Sequence, residues 1–344
     1  MPFPLTRAFA VLTFLAVLTP LAHAAPIPAY HLAKTYKLAG DGFWDYLTLD
    51  SNAHRLYITR DTQVQVLDTR TGALIGQIPG LKEAHGVAIN PKIGRGFVTS
   101  GGQNRVVAFD LKTLKTTGST NVGNGPDAIA FEPITGEIFA MNGEGNSVSI
   151  LDAAGQRVLE TVALGGNPES AVADGKGDVF INIEGTSQIA KVDAKTNKLV
   201  HVWSLAPGEE PTGLAYDAKT ARLFVGCANQ KMIVFGAKSG QIEAVLPIGR
   251  GVDAAAFDPK SGLAFTSNGR SGTISIAGQN ALGKPTLLAT LPTHIGARTM
   301  ALDSQTHALW VVAADYQPKR AGQRWPEMVP GSAVVLKFEP NAAK

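Results

Sequence analysis

The sequence predicts an all-β fold: a seven-bladed β-propeller of four-stranded antiparallel blades, closed by an N-terminal strand that completes blade seven. Three observations carry that expectation. One unit of about 40–45 residues recurs seven times along the chain, the period of propeller repeats. Each unit reads as short runs of β-branched and apolar residues bounded by Gly, Pro, Asn or Asp, which is how strands and turns are written. The last unit lacks a fourth run, and the segment ahead of the first unit supplies one.

The repeat is plainest from Pro126 to Leu164. Pro126 to Pro133 leads to a turn at Ile134-Thr135-Gly136, then Ile138 to Asn142, a loop at Gly143 to Asn146, Val148 to Asp152, a turn at Gly155, and Val158 to Leu164. Helical spacing of apolar residues does not persist through it. Every unit has an acidic or Asn residue closing its first strand: Asp50, Asn90, Glu132, Asp174, Asp217, Asp258 and Asp303. Second strands are apolar on both sides and carry an aromatic, as in Leu56-Tyr57-Ile58, Gly96-Phe97-Val98 and Leu309-Trp310-Val311. These residues are expected in the core between blades. The Asn90-Pro91, Glu132-Pro133 and Asp258-Pro259 turns and the Thr71-Gly72 and Ser239-Gly240 pairs are structural, because Pro presets φ and Gly supplies positive φ. Unit seven offers Thr299–Leu302, Leu309–Ala313 and Ala333–Phe338, and Leu32–Leu38 has the alternation to pair at its outer edge. That pairing would remove an open seam.

Composition agrees. The 344 residues are 44% hydrophobic and 17% charged, with 37 glycines and 20 prolines, as a large turn-rich β domain requires. A net charge of +3 does not by itself imply nucleic acid or a membrane surface. Residues 1–24 read as a cleaved signal peptide: Arg7, an apolar run from Ala8 to Leu21, and Ala22-His23-Ala24 as an A-x-A cleavage site. That run is too short for a spanning helix, so the mature protein, 25–344, is expected in the periplasm or secreted, as a monomer and one propeller domain. Cys227 is the only cysteine, which excludes an internal disulfide framework and a Cys-x-x-Cys-His haem attachment.

Several motifs carry a family resemblance. Phe97-Val98-Thr99-Ser100 and Phe139-Ala140-Met141-Asn142 approximate one strand signature. Asn182-Ile183-Glu184, Pro211-Thr212-Gly213-Leu214-Ala215, Val225-Gly226-Cys227, Gly251 to Asp258, Ser267-Asn268-Gly269 and Thr299 to Asp303 match more closely. On these residues the chain resembles the YVTN-repeat, YncE-like family of exported seven-bladed propellers, over nearly all of the mature sequence. The resemblance implies the fold, export, and a binding or scaffold role. Arg270-Ser271 departs from it, standing where a compact acidic Gly-Asp-Gly turn is usual.

Five residues before each closing residue lie Asp45, His85, Asp127, Glu169, Thr212, Asp253 and Arg298. In a propeller these positions open the innermost strands and gather at one mouth of the central channel. Six of the seven are ionisable, in a chain only 17% charged. Asn142, Asn182 and Asn268 follow near the ends of second strands, with Glu184 just beyond. Such side chains satisfy turn backbone groups routinely. Together, however, four carboxylates at a narrow mouth repel unless something compensates. Arg298, His85, water or a cation would serve. Asp127, Glu169, Glu184 and Asp253 are the candidate metal ligands, and oxygen donors of this kind suit Ca²⁺ or Mg²⁺ better than zinc. His85 is the one histidine placed at this mouth and the candidate catalytic residue, although a carboxylate of the ring could equally activate water.

The segment 315–332 interrupts blade seven on the same face and carries Arg320, Arg324 and Trp325. It reads as a lid or a contact loop for a partner. A nucleic-acid role is disfavoured, since no basic stripe runs through the other blades. No Gly-x-Ser-x-Gly elbow, His-Glu-x-x-His helix or phosphate loop is present. The leading expectation is a non-enzymatic ligand- or protein-binding module acting through its funnel mouth. A metal-assisted lactonase-type hydrolase is the alternative. A further alternative is an accessory subunit of a periplasmic redox enzyme.

Overall fold

The computed structural model of the chain describes Met1 and residues 29–40, 42–320, 322–323 and 326–341. Apart from Met1, the leader expected over 1–24 therefore lies outside the described residues, as do Arg324 and Trp325.

Seven four-stranded antiparallel sheets stand around a common axis, six of them in simple meander order and the seventh a three-stranded meander completed by the N-terminal strand. Their first strands are Leu47–Asp50, Ala84–Asn90, Pro126–Phe131, Pro168–Ala173, Pro211–Asp217, Val252–Asp258 and Arg298–Leu302. Antiparallel meanders follow from the short Gly- and Asp-marked turns, which only let a strand reverse onto its neighbour. In blade one, for example, Asp68 accepts the backbone N–H groups of Arg70 and Thr71 on its carboxylate. Gly72 then turns at φ +74°.

The core is distributed, with one apolar cluster at each of the seven blade interfaces. The second strands supply most of it. Tyr57, Phe97, Phe139, Phe265 and Trp310 are all fully buried, as expected for strands covered on both faces. Near the axis, hydroxyls tie neighbouring blades together at five of the seven junctions. Thr48 donates to the Val87 carbonyl at 2.6 Å, Thr212 to Val252 at 3.0 Å and Thr299 to Asp45 at 2.6 Å. Thr99 to Asp127 and Ser170 to Thr212 repeat the pattern.

The ring closes as the sequence predicts. Tyr30–Lys37 pairs antiparallel with Val334–Pro340 and forms the outer strand of blade seven. The pairing begins two residues earlier than the expected Leu32, and the register shifts by one residue at a bulge between Leu32 and Lys34. Tyr30 meets Phe265 edge-on at 5.5 Å. Tyr36 stacks on Trp310 at 5.9 Å and lies against Gly72 so closely that a Cβ there would run into its ring. The closing strand thus touches blades one and six as well as its own. Among the described residues no helix is long and apolar enough to cross a membrane.

Candidate functional site

The residues that open the first strands converge at one end of the channel. His85 Nδ1 lies 2.6 Å from Asp45 Oδ2 and 3.6 Å from Asp127 Oδ1, linking blades one, two and three. Arg298 of blade seven donates to Asp253 of blade six at 2.9 Å. Its second amino group reaches the Trp44 carbonyl at 3.3 Å. The guanidinium also sits 5.6 Å over the Trp44 ring, and the Trp44 indole N–H donates back to the Arg298 carbonyl at 3.0 Å. The two cations the sequence offers at the mouth each pair with carboxylates on their own side, His85 with Asp45 and Asp127 and Arg298 with Asp253.

Tyr46 was not foreseen. Its hydroxyl crosses from blade one to donate to Glu169 Oε1 of blade four at 2.9 Å. The sequence did carry a signal. The residues equivalent to Tyr46 in the other six units are Gly86, Ala128, Ser170, Gly213, Ala254 and Thr299, all small. One large side chain among six small ones at a crowded axis has room to lie across it. Here the channel holds a cavity of about 160 Å³, lined among others by Tyr46, Gly86, Ala128, Ser170 and Met300. A second hollow, about 550 Å³, is lined among others by Ile89, Phe131, Val172 and Tyr216, with Asp174 as its ionisable residue. The ionisable chemistry is therefore concentrated at one mouth.

Burial and crowding shift the ionisation of this ring. Burial, then the charge of Asp45, push the Asp127 carboxyl up to about 7, with His85 opposing. Burial raises Glu169 well above its ordinary value, and Asp127 and Asp45 add to it. Asp253 is raised by burial even though Arg298 pulls the other way. For His85, burial disfavours the imidazolium, but the hydrogen bond to Asp45 and the Asp127 charge outweigh it and set the pKa at about 9. Burial and the Glu169 charge together keep the Tyr46 phenol protonated. Within this ring of ionisable groups Asp127 Oδ1 is shielded from water and takes no hydrogen bond, as is also true of the amide oxygens of Asn142 and Asn182.

Other candidates fall elsewhere. Asn142, Asn182 and Asn268 are wholly buried. Asn142 donates to Ser147 and Ser149, and Asn268 to Thr273 and Ser275, within their own blades. Asn182 donates to Ser170 and to the Gly213 carbonyl of the next blade. Thr212 is spent on its tie to Val252. Glu184 accepts from Asn167 at 2.9 Å, and its charge still reaches Asp127, Glu169 and Asp253. Burial pushes the Cys227 thiol up to about 12, which suits a packing residue. Arg320 is exposed and its backbone N–H donates to Gln323 Oε1. In the same segment Tyr316 leans on Trp44 at 6.4 Å, so this loop borders the Arg298 side of the mouth.

No family model matches the chain. Over 54 residues it is 46% identical to the PE-PGRS family protein PE_PGRS18 of Mycobacterium tuberculosis, a stretch covering 16% of this chain and 12% of that relative's length. Three solved structures are similar over most of the ring. A chain of Kuenenia stuttgartiensis hydrazine synthase superposes with a TM-score of 0.69 at 14% identity, covering 82% of this chain and 95% of that one. The RRP9 WD40 repeats give 0.75 at 12% identity, with 90% and 100% covered. U3-55K gives 0.74 at 12%, with 90% and 99% covered. The likeness is one of fold.

The metal-capable geometry differs from the oxygen set expected from sequence. Donor atoms of Asp45, His85 and Asp127 all lie within 4.8 Å of one another. Of the four carboxylates singled out as metal ligands, only Asp127 belongs to that group. Glu169 is engaged by Tyr46, Asp253 by Arg298 and Glu184 by Asn167.

Proposed function

We propose that this chain is an exported propeller of the YVTN-repeat, YncE-like kind and acts as a non-catalytic binding module. Its acidic mouth would hold a small ligand, or a group on a partner protein, that carries positive charge. One observation carries the reading: Asp45, Asp127, Glu169, Asp253 and Glu184 gather where, among the described residues, His85 and Arg298 are the cations paired with them. A cationic occupant relieves their mutual repulsion, and that relief is its binding energy. Export rests on the Ala22-His23-Ala24 leader.

Isothermal titration of the purified protein with spermidine and arginine methyl ester, against citrate and glucose 6-phosphate as anionic controls, tests the reading. Cations are expected to bind one per chain and to weaken at least tenfold in the Asp127→Asn/Glu169→Gln double variant. Preference for the anions, or cation binding that the double variant leaves intact, would overturn it. A metal-assisted hydrolase of the lactonase type is the second reading, favoured by the convergence of Asp45, His85 and Asp127. Lactone hydrolysis that depends on a divalent ion and on His85 would establish it.

A further inference from the structure

The mouth is not chemically uniform. On the side of blades six, seven and one, Arg298 is fixed by Asp253, the Trp44 carbonyl and the Trp44 ring. On the side of blades one to three, a single imidazole lies between two carboxylates, and Asp127 Oδ1 is buried without a hydrogen bond. We propose that Asp45, His85 and Asp127 form a site for a divalent first-row transition ion of the Zn²⁺, Co²⁺ or Mn²⁺ class. This names an occupant for the acidic mouth and rests on the binding reading given above.

The geometry is near what such an ion needs. Bonds of about 2.0–2.2 Å to imidazole nitrogen and carboxylate oxygen place neighbouring donors roughly 3.0–3.5 Å apart. Asp127 Oδ1 is already 3.6 Å from His85 Nδ1. Asp45 Oδ2, at 2.6 Å, has to open by about half an ångström as a metal replaces the shared proton. All three donors lie within 4.8 Å of one another, a spread that small side-chain rotations close.

The backbones carrying these donors are already anchored. The Asp45 carbonyl accepts the Thr299 hydroxyl at 2.6 Å, and the Asp127 carbonyl accepts that of Thr99. Thr99 also receives the Gly86 N–H beside His85 at 2.9 Å. The far edge of the imidazole rests against Gly101, where a Cβ would come 2.9 Å from Nε2. A side chain at that position would push the ring off its mark.

The donor set selects the class of ion. One imidazole and two carboxylates suit Zn²⁺, Co²⁺ and Mn²⁺, whereas Ca²⁺ and Mg²⁺ favour sites built from oxygen alone. The three side chains keep between 26% and 31% of their surface exposed. The remaining coordination positions therefore face water, or a ligand entering the funnel.

The test is titration of untagged, EDTA-stripped protein with Zn²⁺, Co²⁺, Mn²⁺, Ca²⁺ and Mg²⁺, read by calorimetry and, for Co²⁺, by its visible d–d absorption. One transition ion per chain is expected, with Ca²⁺ at least tenfold weaker. Asp45→Asn, His85→Gln and Asp127→Asn should each lower affinity tenfold or more and change the Co²⁺ spectrum. Gly101→Ala, which keeps every donor, should weaken binding and alter that spectrum too. Melts in EDTA verify that each variant is folded. Absence of stoichiometric binding, a preference for Ca²⁺, or affinity untouched by the three donor variants would overturn the proposal. If spermidine still binds through Asp127 and Glu169 while no metal does, the metal site falls and the acidic-mouth reading stands.

Discussion

Replacing Asp127 with Asn should stabilise the metal-free protein at pH 8 and do little at pH 4. The substitution keeps the side chain's shape and leaves the carbonyl that accepts Thr99 in place. What it removes is a carboxylate whose ionisation is opposed by burial and by Asp45, Asp253 and Glu184, and favoured by His85. The folded-state pKa of about 7, against an ordinary 3.8, sets the sign. Below 3.8 the group is protonated whether or not the chain is folded and costs nothing. Between 3.8 and about 7 only the unfolded chain ionises, so stability is lost as pH rises; above 7 the full penalty is present. At about 1.4 kcal/mol per unit the ceiling is roughly 4 kcal/mol. The open mouth screens the charge, and the variant also forfeits the attraction to His85, so about 2 kcal/mol is the working figure. For a chain of this length that is a rise in Tm of about 4 °C.

Differential scanning fluorimetry in EDTA at pH 4, 6 and 8 measures it directly. The gain should be near zero at pH 4, grow through pH 6 and level off by pH 8. A fall in Tm at pH 8, or the same shift at every pH, would refute the account of a crowded carboxylate and make Asp127 a structural acceptor instead.

Two further expectations come from the same structure. His85 has a folded-state pKa of about 9 against 6.5 for a free imidazole, so the stability from its carboxylate partners is fully present below pH 6.5 and lost as pH rises through 9; His85→Gln should flatten the Tm profile in that window, and an unchanged slope would sink the assignment. Deleting residues 29–38 removes the outer strand of blade seven and the burial of Tyr30 and Leu38, each worth roughly 1.5–3 kcal/mol, so Tm should fall by about 10 °C or more; a melt like that of the intact chain would show that the seam does not need this strand.

The fold was legible because its determinants are local and repeated. Each unit carries its own turn residues, and the aromatic of each second strand, from Tyr57 to Trp310, marks an interface that only a ring of blades can cover. Closure was legible from an arithmetic deficit of one strand. The site was legible only as a set of positions, since their spacing places Asp45, His85, Asp127 and Arg298 at one mouth but does not say which neighbours touch. Pairing around a ring depends on side-chain length and on what crosses the axis. Tyr46 settles that by reaching Glu169, and thereby withdraws Glu169 from any metal. The buried asparagines were indistinguishable from ligands in the sequence, because a polar residue ending a strand reads alike whether it faces the channel or ties its own blade. Asn142, bonded to Ser147 and Ser149, is the second case.

Tyr46 and Arg298 together explain why the mouth has one reactive quarter and not seven equivalent positions. Each engages a carboxylate through a group that keeps its state across the physiological range: a neutral phenol that donates a hydrogen bond to Glu169 and a charged guanidinium that pairs with Asp253. His85 is different in kind, since an imidazole can exchange its proton for a metal ion. The carboxylates in direct contact with it, Asp45 and Asp127, are the ones that exchange would engage. On the proposed reading, a metal ion entering this funnel finds Asp253 paired with Arg298 and Glu169 hydrogen-bonded by Tyr46, and takes its donors at the junction of blades one, two and three. There Asp127 Oδ1 still lacks a hydrogen bond. The asymmetry lies in three side chains, Tyr46, His85 and Arg298, standing on an otherwise repetitive frame.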